Sequence, residues 1–475
     1  EAIITSEELE GMPVTEVSEV LRLQGGMTQD AGGGLHMRGG RTSEVSYMVD
    51  GVPMSDTYDG GISVQIENDN IQELQVISGT FNAEYGKALT GVVNMVTKDG
   101  GNRFEGSLNT YTGDYTTDDP LFPNLGSFAI DDDYSISANL SGPILPGRIT
   151  FYSSGRINNS KGWLNGLQTF TIYGDTVFKD NNSNQYFDNG DQKEEPYYTS
   201  LNWYKAWSTQ NKITFNINPS TIIKFNTIFN FREGQNYNHG LQLVKDGQIT
   251  NYNQGRFLSL NLSHSFSSRS FVQFNASEYT HSYQSYLFDD PLDQRYITPD
   301  SLFWAHIQAT LPQHVIEEYG DQVLYFPAYS FSRWGVNTNR FERETRTRGI
   351  KLDFTSQIDK YNQMKIGADY TEHNLTLDTY SLLDLSQADQ VFSPYIPDIG
   401  SFSRTTYEHS PNEIALYLQD KIEYGDIILN IGLRYERFDP KSRIPKNIHE
   451  PYIQNPRNPA LDSLSISELE NIDWG

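Results

Sequence analysis

The stretch that decides the fold is Ile71-Gln-Glu-Leu-Gln-Val-Ile-Ser-Gly-Thr-Phe-Asn-Ala-Glu-Tyr-Gly-Lys-Ala-Leu-Thr-Gly-Val-Val-Asn-Met-Val-Thr-Lys98. Its two ends, Ile71–Ile77 and Gly91–Thr97, have the composition of strands. Beyond it, apolar and polar residues alternate with period two over hundreds of positions. The change predicts a small α/β domain over residues 1–101 that leads directly into a strand meander over residues 102–475. Such a junction is typical of a membrane barrel with a plug.

The first domain carries signals for helices and tight turns. Ser6-Glu-Glu-Leu-Glu offers an N-cap, and apolar residues then recur at helical spacing, which predicts a helix from Ser6 to Leu23. Leu35–Arg41 and Val45–Val49 are predicted as a strand pair that ends in the turn dipeptide Asp50-Gly51. A second helix-like segment, Ala83–Leu89, lies between the two strands of the deciding stretch.

Composition favours alternating strands around a wet interior. Among the 475 residues, hydrophobic residues make up 37% and aromatic residues 13%. A disordered chain is poor in aromatic residues, so disorder does not explain the low hydrophobicity. Strands with one apolar and one polar face do explain it.

Charge and cysteine content exclude several classes of protein. The formal net charge is −26, so nucleic acid is not expected as a partner, because binding phosphates requires a basic face. The chain has no cysteine, so disulfides, thiolate zinc sites and cysteine nucleophiles are excluded. No segment approaches the roughly 18 apolar residues of a membrane helix. The chain opens at Glu1-Ala-Ile-Ile-Thr-Ser without a signal peptide, so we expect that any export signal was removed or was not included.

The second region predicts about eleven strands, many of them near ten residues or longer. In Leu258-Ser-Leu-Asn-Leu-Ser-His-Ser-Phe266, leucines take one face, and serine and asparagine take the other. Similar strands are predicted near residues 102–112, 134–141, 148–157, 201–217, 221–232, 271–285, 343–358, 363–376, 413–423 and 427–435.

Short and long connections alternate between these strands. Tight turns such as Asn218-Pro-Ser220 and Tyr424-Gly-Asp426 are followed by long polar segments, such as 158–200 and 286–342. Outer-membrane barrels have short periplasmic turns and long external loops, so the alternation predicts a transmembrane antiparallel β-barrel. Residues after 439 leave the last strand and do not return. Because bacterial barrels close with an even number of strands, we expect that roughly half of the barrel is absent from this chain.

An ordered set of short motifs resembles the TonB-dependent outer-membrane receptors. The motifs are Met37-Arg-Gly-Gly-Arg41, Tyr47-Met-Val-Asp-Gly-Val-Pro53, Ile71–Val76, Ala83-Glu-Tyr-Gly86, Gly91–Thr97, Leu416-Tyr-Leu-Gln-Asp-Lys421 and Leu429–Tyr435. The resemblance is closest to the Bacteroidetes-like branch, which has a carboxypeptidase-regulatory-like domain ahead of the plug. It implies a 22-strand barrel in the outer membrane of a Gram-negative bacterium, with energy delivered by the TonB complex. No TonB box or preceding domain is visible, so energised transport is an expectation for the parent protein.

Several plug residues are candidates for structural or gating roles. They are Arg38, Gly39, Gly40, Arg41, Asp50, Gly51, Glu73, Glu84, Tyr85, Gly86 and Gly91. The glycines lack the spacing of a phosphate-binding loop, so we interpret them as turns and close backbone approaches. Arg38 and Arg41 either pair with carboxylates of the barrel interior or are solvated.

One loop, residues 180–191, has the donor pattern of a calcium site. Asp180, Asn182, Asn184, Asp188 and Asp191 occupy positions 1, 3, 5, 9 and 12, and Tyr186 at position 7 offers its carbonyl. Gln185 stands where a glycine is usual, and Asp191 replaces the bidentate glutamate. The alternative is a polar external loop rich in Asn and Asp turns.

The full segment is Asp180-Asn-Asn-Ser-Asn-Gln-Tyr-Phe-Asp-Asn-Gly-Asp191, and all its candidate ligands are hard oxygen donors, which suit Ca²⁺. Bound calcium would order a connection of about forty residues that otherwise loses much conformational entropy on folding.

The remaining side chains favour binding over catalysis. The sequence has no HExxH motif and no Ser-His-Asp arrangement that stands out, so the chain is not expected to be an enzyme. Asp56 and Tyr58, in the upper plug loop near 51–62, and Trp203 and Trp207 are candidates for ligand contact. Aromatic residues near strand ends suit interfacial belts, with ligand stacking as the alternative.

The sequence leaves two functions open. The first is a receptor that binds an external ligand and imports it through the plugged barrel. The second is a structural or secretion-associated outer-membrane barrel whose external loops bind protein. Expected partners are outer-membrane lipid, the TonB complex and, in either case, a surface lipoprotein or another outer-membrane protein.

Overall fold

The computed structural model describes residues 2–12, 17–30, 34–79, 82–179, 181, 192–299, 331–384, 390–425 and 427–442. The first domain is a five-stranded mixed sheet with two short helices. Its elements are β1 (Ala2–Thr5), α1 (Ser6–Glu10), α2 (Val17–Arg22), β2 (Met27–Gln29), β3 (Leu35–Met37), β4 (Val45–Val49), β5 (Val52–Pro53), β6 (Ile71–Ser78) and β7 (Gly91–Thr97). Short 3-10 helices lie at Thr42–Glu44 and Asn68–Asn70. Within these ranges, no helix has the length and apolarity needed to cross a membrane.

The sheet of the first domain has the order β1-β6-β7-β4-β5. β4 and β7 are parallel, and the other neighbours are antiparallel. The two strands of the deciding stretch are confirmed as the neighbours β6 and β7, whose apolar side chains, including Leu74 and Met95, form much of the buried core. The predicted Asp50-Gly51 turn is also confirmed. Both residues have positive φ, 49° and 79°, as a tight turn between strands of a hairpin requires.

Three local predictions for the first domain are wrong. The strand Leu35–Met37 pairs with β2 and not with β4, which instead lies beside β7. The predicted helix Ser6–Leu23 is two helices. The first, α1, ends at Glu10 with Gly11 as its C-cap, and Pro13 follows two residues later in the sequence, where a proline disfavours continuation of the helix. The segment Ala83–Leu89 is not helical, because Lys87 has a φ of 56°. The backbone amides of Glu84 and Leu89 donate to Gln419 and to the Glu44 carbonyl instead of to carbonyls within the segment.

The second region is one antiparallel meander of long strands. They are β8 (Glu105–Gly113), β9 (Asp133–Leu145), β10 (Ile149–Ser160), β11 (Tyr204–Asn218), β12 (Thr221–Gly234), β13 (Thr250–Ser265), β14 (Ser270–Tyr286), β15 (Asn339–Gln357), β16 (Asn362–Ser381), β17 (Asn412–Tyr424) and β18 (Ile427–Asp439). Each strand pairs with the next along the chain. The predicted strands are therefore confirmed, with ends that differ by a few residues.

The connections between strands alternate in length, as predicted. Short turns lie at one end of the meander, which we call the turn end, and long loops lie at the other, which we call the loop end. The loops contain short strands at Asn165–Gln168, Phe178–Lys179, Gln192–Lys193, Tyr197–Ser200, Thr298–Pro299, Leu383–Asp384, Gln390–Phe392, Pro394–Tyr395 and Arg404–His409. They also contain 3-10 helices at His239–Leu241, Lys245–Gly247 and Gln294–Tyr296. Side chains from four loops, among them Ile172, Val244, Tyr296 and Leu382, pack into a small apolar cluster, so the described loop segments are folded against one another.

The meander presents opposite chemistries on its two faces. On β11, the inward side chains Ser208, Gln210, Lys212 and Thr214 are all buried and polar. Outward side chains, such as Ile350, Leu352 and Phe354 of β15, are large, apolar and exposed. The inward face is buried because the first domain packs against it: Ile228, Phe257 and Tyr279 of the meander belong to the same core cluster as the first domain. The first domain is therefore a plug on the inner face of a transmembrane-type antiparallel sheet.

Candidate functional site

The candidate site is the interface where plug side chains meet the inward face of the meander. Most inward positions on the strands are polar because they face another folded domain and water-accessible gaps, whereas many outward positions are apolar. Among the described residues, most ion pairs across this interface join a carboxylate of the plug to a cation of the meander, and Lys87–Glu413 is an exception.

Asp56 is at the centre of the most buried of these contacts. It is 1% exposed, and it accepts a hydrogen bond of 2.7 Å from Arg343 of β15. Its other close neighbour is His281 of β14, whose Nδ1 lies 2.5 Å from the carboxylate. Burial acts to raise the pKa of Asp56, but the hydrogen bond and charge of His281 and the charge of Arg343 outweigh it and lower the pKa to about 2.

Arg343 joins the tip of the plug loop to the meander. Besides Asp56, its guanidinium donates to Asp59 at 2.9 Å, and its central carbon lies 4.4 Å from the centre of the Tyr58 ring. An arginine with two carboxylates and an aromatic face fixes the orientation of the loop better than a point charge would. The predicted ligand residues Asp56 and Tyr58 are thus brought together, with Asp56 occupied by internal partners.

Lys212 of β11 binds the plug at the end of β7. It is 3% exposed and lies 3.3 Å from Asp50 and 3.0 Å from Asp99. Its ammonium also donates to the carbonyl and hydroxyl of Thr97, at 3.1 and 2.9 Å. Asp50 in turn accepts hydrogen bonds from the backbone and hydroxyl of Thr97. The turn between β4 and β5, the end of β7 and the meander therefore share one polar network.

We expect Lys212→Met to loosen this end of the plug by about 1–3 kcal/mol, because it removes the buried ammonium that binds Asp50, Asp99 and Thr97 and leaves Asp50 with neutral donors. Hydrogen–deuterium exchange of the amides from Val96 to Asp99 in the purified protein measures the change. Lys224→Met is the matched control. Among the described residues Lys224 forms an ion pair with Asp99 only, and its side chain is one-third exposed, so we expect less than about 1 kcal/mol. Equal effects of the two substitutions would contradict the role assigned to burial.

Arg156 of β10 holds the segment that enters β6. It is buried and binds Glu67 at 2.7 Å and Asp69 at 2.5 Å. Ser208 donates to the same Glu67 at 2.8 Å, and Tyr152 donates to Asn70 at 3.0 Å. Four contacts from three side chains of two strands therefore fix the 3-10 helix at Asn68–Asn70.

The segment 83–87 contacts β16, β17 and β18, the last three strands of the meander. Glu84 pairs with Lys365 of β16, and its backbone amide donates to Gln419 at 3.2 Å. Burial acts to raise the pKa of Glu84, but the charge of Lys365 outweighs it and lowers the pKa. Arg434 of β18 donates to the carbonyls of Ala83 and Glu84, at 3.3 and 3.4 Å.

A cavity of about 450 Å³ lies beside this segment, between the plug and β14–β18 of the meander. Its lining includes Tyr85, Gly86 and Lys87 of the plug and His373 and Glu413 of the meander. Lys87 pairs with Glu413 at 2.6 Å, and His373 contacts Thr57 at 3.0 Å. The segment 83–87 is thus held by hydrogen bonds and ion pairs at the edge of open space.

The other predicted plug residues make their contacts within the plug. Arg38 and Arg41 are exposed, and no carboxylate of the described meander pairs with them. Gly39, with a φ of 77°, forms the turn after β3. A Cβ at Gly40 would lie 2.1 Å from Thr90, and one at Gly91 would lie 1.9 Å from Met37, so both glycines permit close packing. Glu73 accepts from Gln75 at 2.6 Å within β6.

The predicted tryptophans lie away from Asp56 and Tyr58. Trp203 donates to Gln235 at 3.0 Å near the loop end. Trp207 alternates with the inward Ser208, so it faces outward, where its ring stacks on Phe231 at 6.4 Å. This position is the one expected of an interfacial belt.

The predicted calcium ligands, Asp180, Asn182, Asn184, Tyr186, Asp188 and Asp191, lie outside the described residues. Within the described ranges, no group of three or more histidine, aspartate or glutamate side chains is placed to hold a metal ion.

Sequence reasoning did not select Arg156, Lys212, Arg343 or Lys365. Each is a single cation on the polar face of a long strand. The alternation of polar and apolar residues could have placed these cations on the inward face, but nothing else in the sequence marks them. His281, which faces the plug, was not selected either.

Two family models match the chain. The TonB-dependent Receptor Plug Domain matches residues 1–93, and the TonB dependent receptor-like beta-barrel matches residues 217–447. The TonB-dependent transporter Oar of Myxococcus xanthus is 28% identical over 135 residues, which is 25% of this chain and 12% of that protein.

Solved structures share the fold. The outer membrane transporter YddB from Escherichia coli matches 92% of this chain with a TM-score of 0.62 and 13% identity. FpvA of P. aeruginosa, bound to a heterologous pyoverdine–iron complex, matches the same share with a TM-score of 0.56 and 11% identity. The chain covers 56% and 51% of these two proteins, so it spans about half their length. At such identities the likeness shows the fold alone.

Proposed function

We propose that this chain, which belongs to the TonB-dependent receptor family, is part of an outer-membrane receptor that binds an external ligand and imports it past a movable plug. In this proposal the loop end is extracellular, the turn end is periplasmic and the TonB complex supplies the energy. The parent cell is a Gram-negative bacterium. No covalent chemistry is required.

The observation that supports the proposal is that ion pairs and hydrogen bonds supply many of the contacts between plug and meander, beside a small apolar contact through Ile228, Phe257 and Tyr279. A lumen filled by a permanent apolar core would have to expose that core to water before anything passed. Ion pairs such as Glu84–Lys365 and Lys87–Glu413 instead exchange protein partners for water, so that each separated charge is rehydrated. The cavity beside segment 83–87 gives this part of the plug room to move.

The test is purification of the intact receptor complex from outer membranes, with identification of bound ligand and co-purifying chains. We expect a small molecule or peptide that the cells take up in a receptor-dependent way, and loss of that uptake in cells without TonB. Ligand-independent co-purification of a large surface protein, with unchanged uptake in receptor-deficient cells, would overturn import and favour the structural or secretion-associated function.

We further propose that the loop 180–191 binds Ca²⁺, on the spacing of its oxygen donors in the sequence. At a calcium concentration about a hundred times the dissociation constant, binding contributes about 2.7 kcal/mol to stability. We therefore expect a chelator to lower the unfolding midpoint of the wild type, but to change that of Asp180→Ala little. Asp289→Ala, in another loop, is the control and should behave as wild type. An equal loss on chelation in wild type and Asp180→Ala would exclude this loop.

A further inference from the structure

Three arginines meet one glutamate on the outward face of the meander. Arg256 of β13, and Arg346 and Arg348 of β15, all contact Glu278 of β14, at 3.3, 3.5 and 2.8 Å. These residues alternate with buried inward neighbours such as Phe257 and Thr347, so their side chains point away from the plug. Glu278 neutralises only one of the three guanidinium groups that it contacts, and the next carboxylates on this face, Glu372 and Glu344, lie beside Arg348 and Arg346.

The cluster lies at the upper edge of the apolar outer surface. In the ladder, the row directly toward the turn end contains Leu260, Ala276 and Ile350, and the exposed Leu352 and Phe354 follow on β15. Toward the loop end lies a run of stacked aromatic rings, Trp207, Phe231, Tyr252 and Tyr286, with centroid separations of 5.0 to 6.5 Å. An aromatic belt marks the level of lipid headgroups, so the arginines lie at the depth where headgroups meet acyl chains.

The geometry leaves space between two of the arginines. Arg256 and Arg346 both pair with Thr280 in the ladder, one on each side, so a single small side chain separates them. Two strand spacings place their Cα atoms about 10 Å apart. Their Nε atoms are buried and have no hydrogen-bond partner, whereas the side chains as a whole are 43% and 39% exposed. Glu372 lies opposite Arg348, and Glu344 lies beyond Arg346 toward the loops, so the unbalanced positive charge is greatest between Arg256 and Arg346.

We propose that Arg256, Arg346 and Arg348 form a binding site for the phosphate group of a lipid headgroup in the outer leaflet. Guanidinium groups suit a phosphate because their planar N–H donors match its oxygens in pairs. The phosphate would lie over Thr280, accept hydrogen bonds from Arg256 and Arg346, and share Arg348 with Glu278. The inference rests on the proposed membrane location, since only a bilayer brings a headgroup to this face.

The full-length receptor, purified in a non-ionic detergent, tests the site. The probes are bis-phosphorylated lipid A and the same lipid after both phosphates are removed, with binding measured by native mass spectrometry. We expect the wild type to bind the phosphorylated lipid at least tenfold more tightly than the dephosphorylated one. Arg256→Gln/Arg346→Gln/Arg348→Gln should lose that preference. Equal binding of the two lipids by the wild type would overturn the proposal, as would displacement of the lipid by an equal concentration of inorganic phosphate.

Two further variants keep the test independent of folding defects. Glu278→Gln removes the competing carboxylate, so it should tighten binding of the phosphorylated lipid several-fold, and a loss of binding would contradict the site. Arg404→Gln is the matched control, because Arg404 is bound by both oxygens of Asp378 at 2.9 and 2.5 Å and should leave lipid binding unchanged. Lipid binding is measured without ligand or TonB, so a failure here is distinct from a failure of import.

Discussion

A receptor with Glu84→Cys and Lys365→Cys, joined by a short bis-maleimide, is expected to bind its ligand at the cell surface but to import none of it. The two side chains are in contact across the interface of plug and meander, so a linker between the cysteines ties segment 83–87 to β16. A covalent bond does not exchange with water as an ion pair does, and the plug then cannot leave the wall at this point. Uptake of labelled ligand by whole cells measures the effect.

The chain is well suited to this experiment because it contains no cysteine of its own. Each single-cysteine receptor, treated with the same reagent, is the control and should keep most of its import. A linker that contains a cleavable bond makes the block of import reversible, because cleavage of the linker should restore uptake. Import that continues at the wild-type rate after complete crosslinking would show that segment 83–87 does not move during transport, and the gating role of Glu84, Tyr85 and Gly86 would be wrong.

Asp56→Asn is expected to release the plug loop from the meander at a cost of about 3–5 kcal/mol, which is the usual result of removing one partner from a buried ion pair. Arg343, whose side chain is 8% exposed, would keep the Tyr58 ring and one carboxylate, that of Asp59, which is about half exposed. His281 would lose its carboxylate partner as well. Hydrogen–deuterium exchange of the amides from Val52 to Ile66, measured in the purified receptor, should rise by a hundredfold or more.

Asp59→Asn is the matched control, because it removes a carboxylate from the same arginine at an exposed position, where an ion pair contributes less than about 1 kcal/mol. The double substitution Asp56→Asn/Arg343→Met removes both buried charges and should recover part of the loss. If Asp56→Asn and Asp59→Asn have equal effects, burial of the Asp56 pair does not govern the anchoring of the loop.

The same contact predicts how the loop responds to acid. The pKa of Asp56 is lowered from an ordinary value of 3.8 to about 2 in the folded receptor, so the folded state favours the ionised carboxylate. Its contribution, roughly 2 kcal/mol by the free energy of a pKa change of that size, is fully present above about pH 4 and is lost as the pH falls toward 2. Exchange of the loop amides, corrected for intrinsic rates, should therefore rise over that range in the wild type and remain flat in Asp56→Asn.

The sequence by itself determined the architecture. Strict alternation from β8 to β18 and the regular change between short and long connections predicted the meander and its two ends, because each strand must put its apolar side chains on one face regardless of its neighbours. The ordered motifs of the plug, from Met37 to Thr97, predicted the family. The Asp50-Gly51 turn was predictable because few dipeptides accept two positive φ angles.

Only the tertiary structure decided which charges meet. From the sequence, Arg38 and Arg41 were candidates to pair with carboxylates of the barrel, yet the buried contacts run the other way, from plug acids such as Asp56 to meander cations such as Arg343. The two residues of that pair are separated by 287 positions. Alternation assigns a side chain to a face, but neither the plug's orientation nor the partner of a given strand position follows from local periodicity. Those depend on how two independently patterned surfaces fit together, which is a property of the folded molecule.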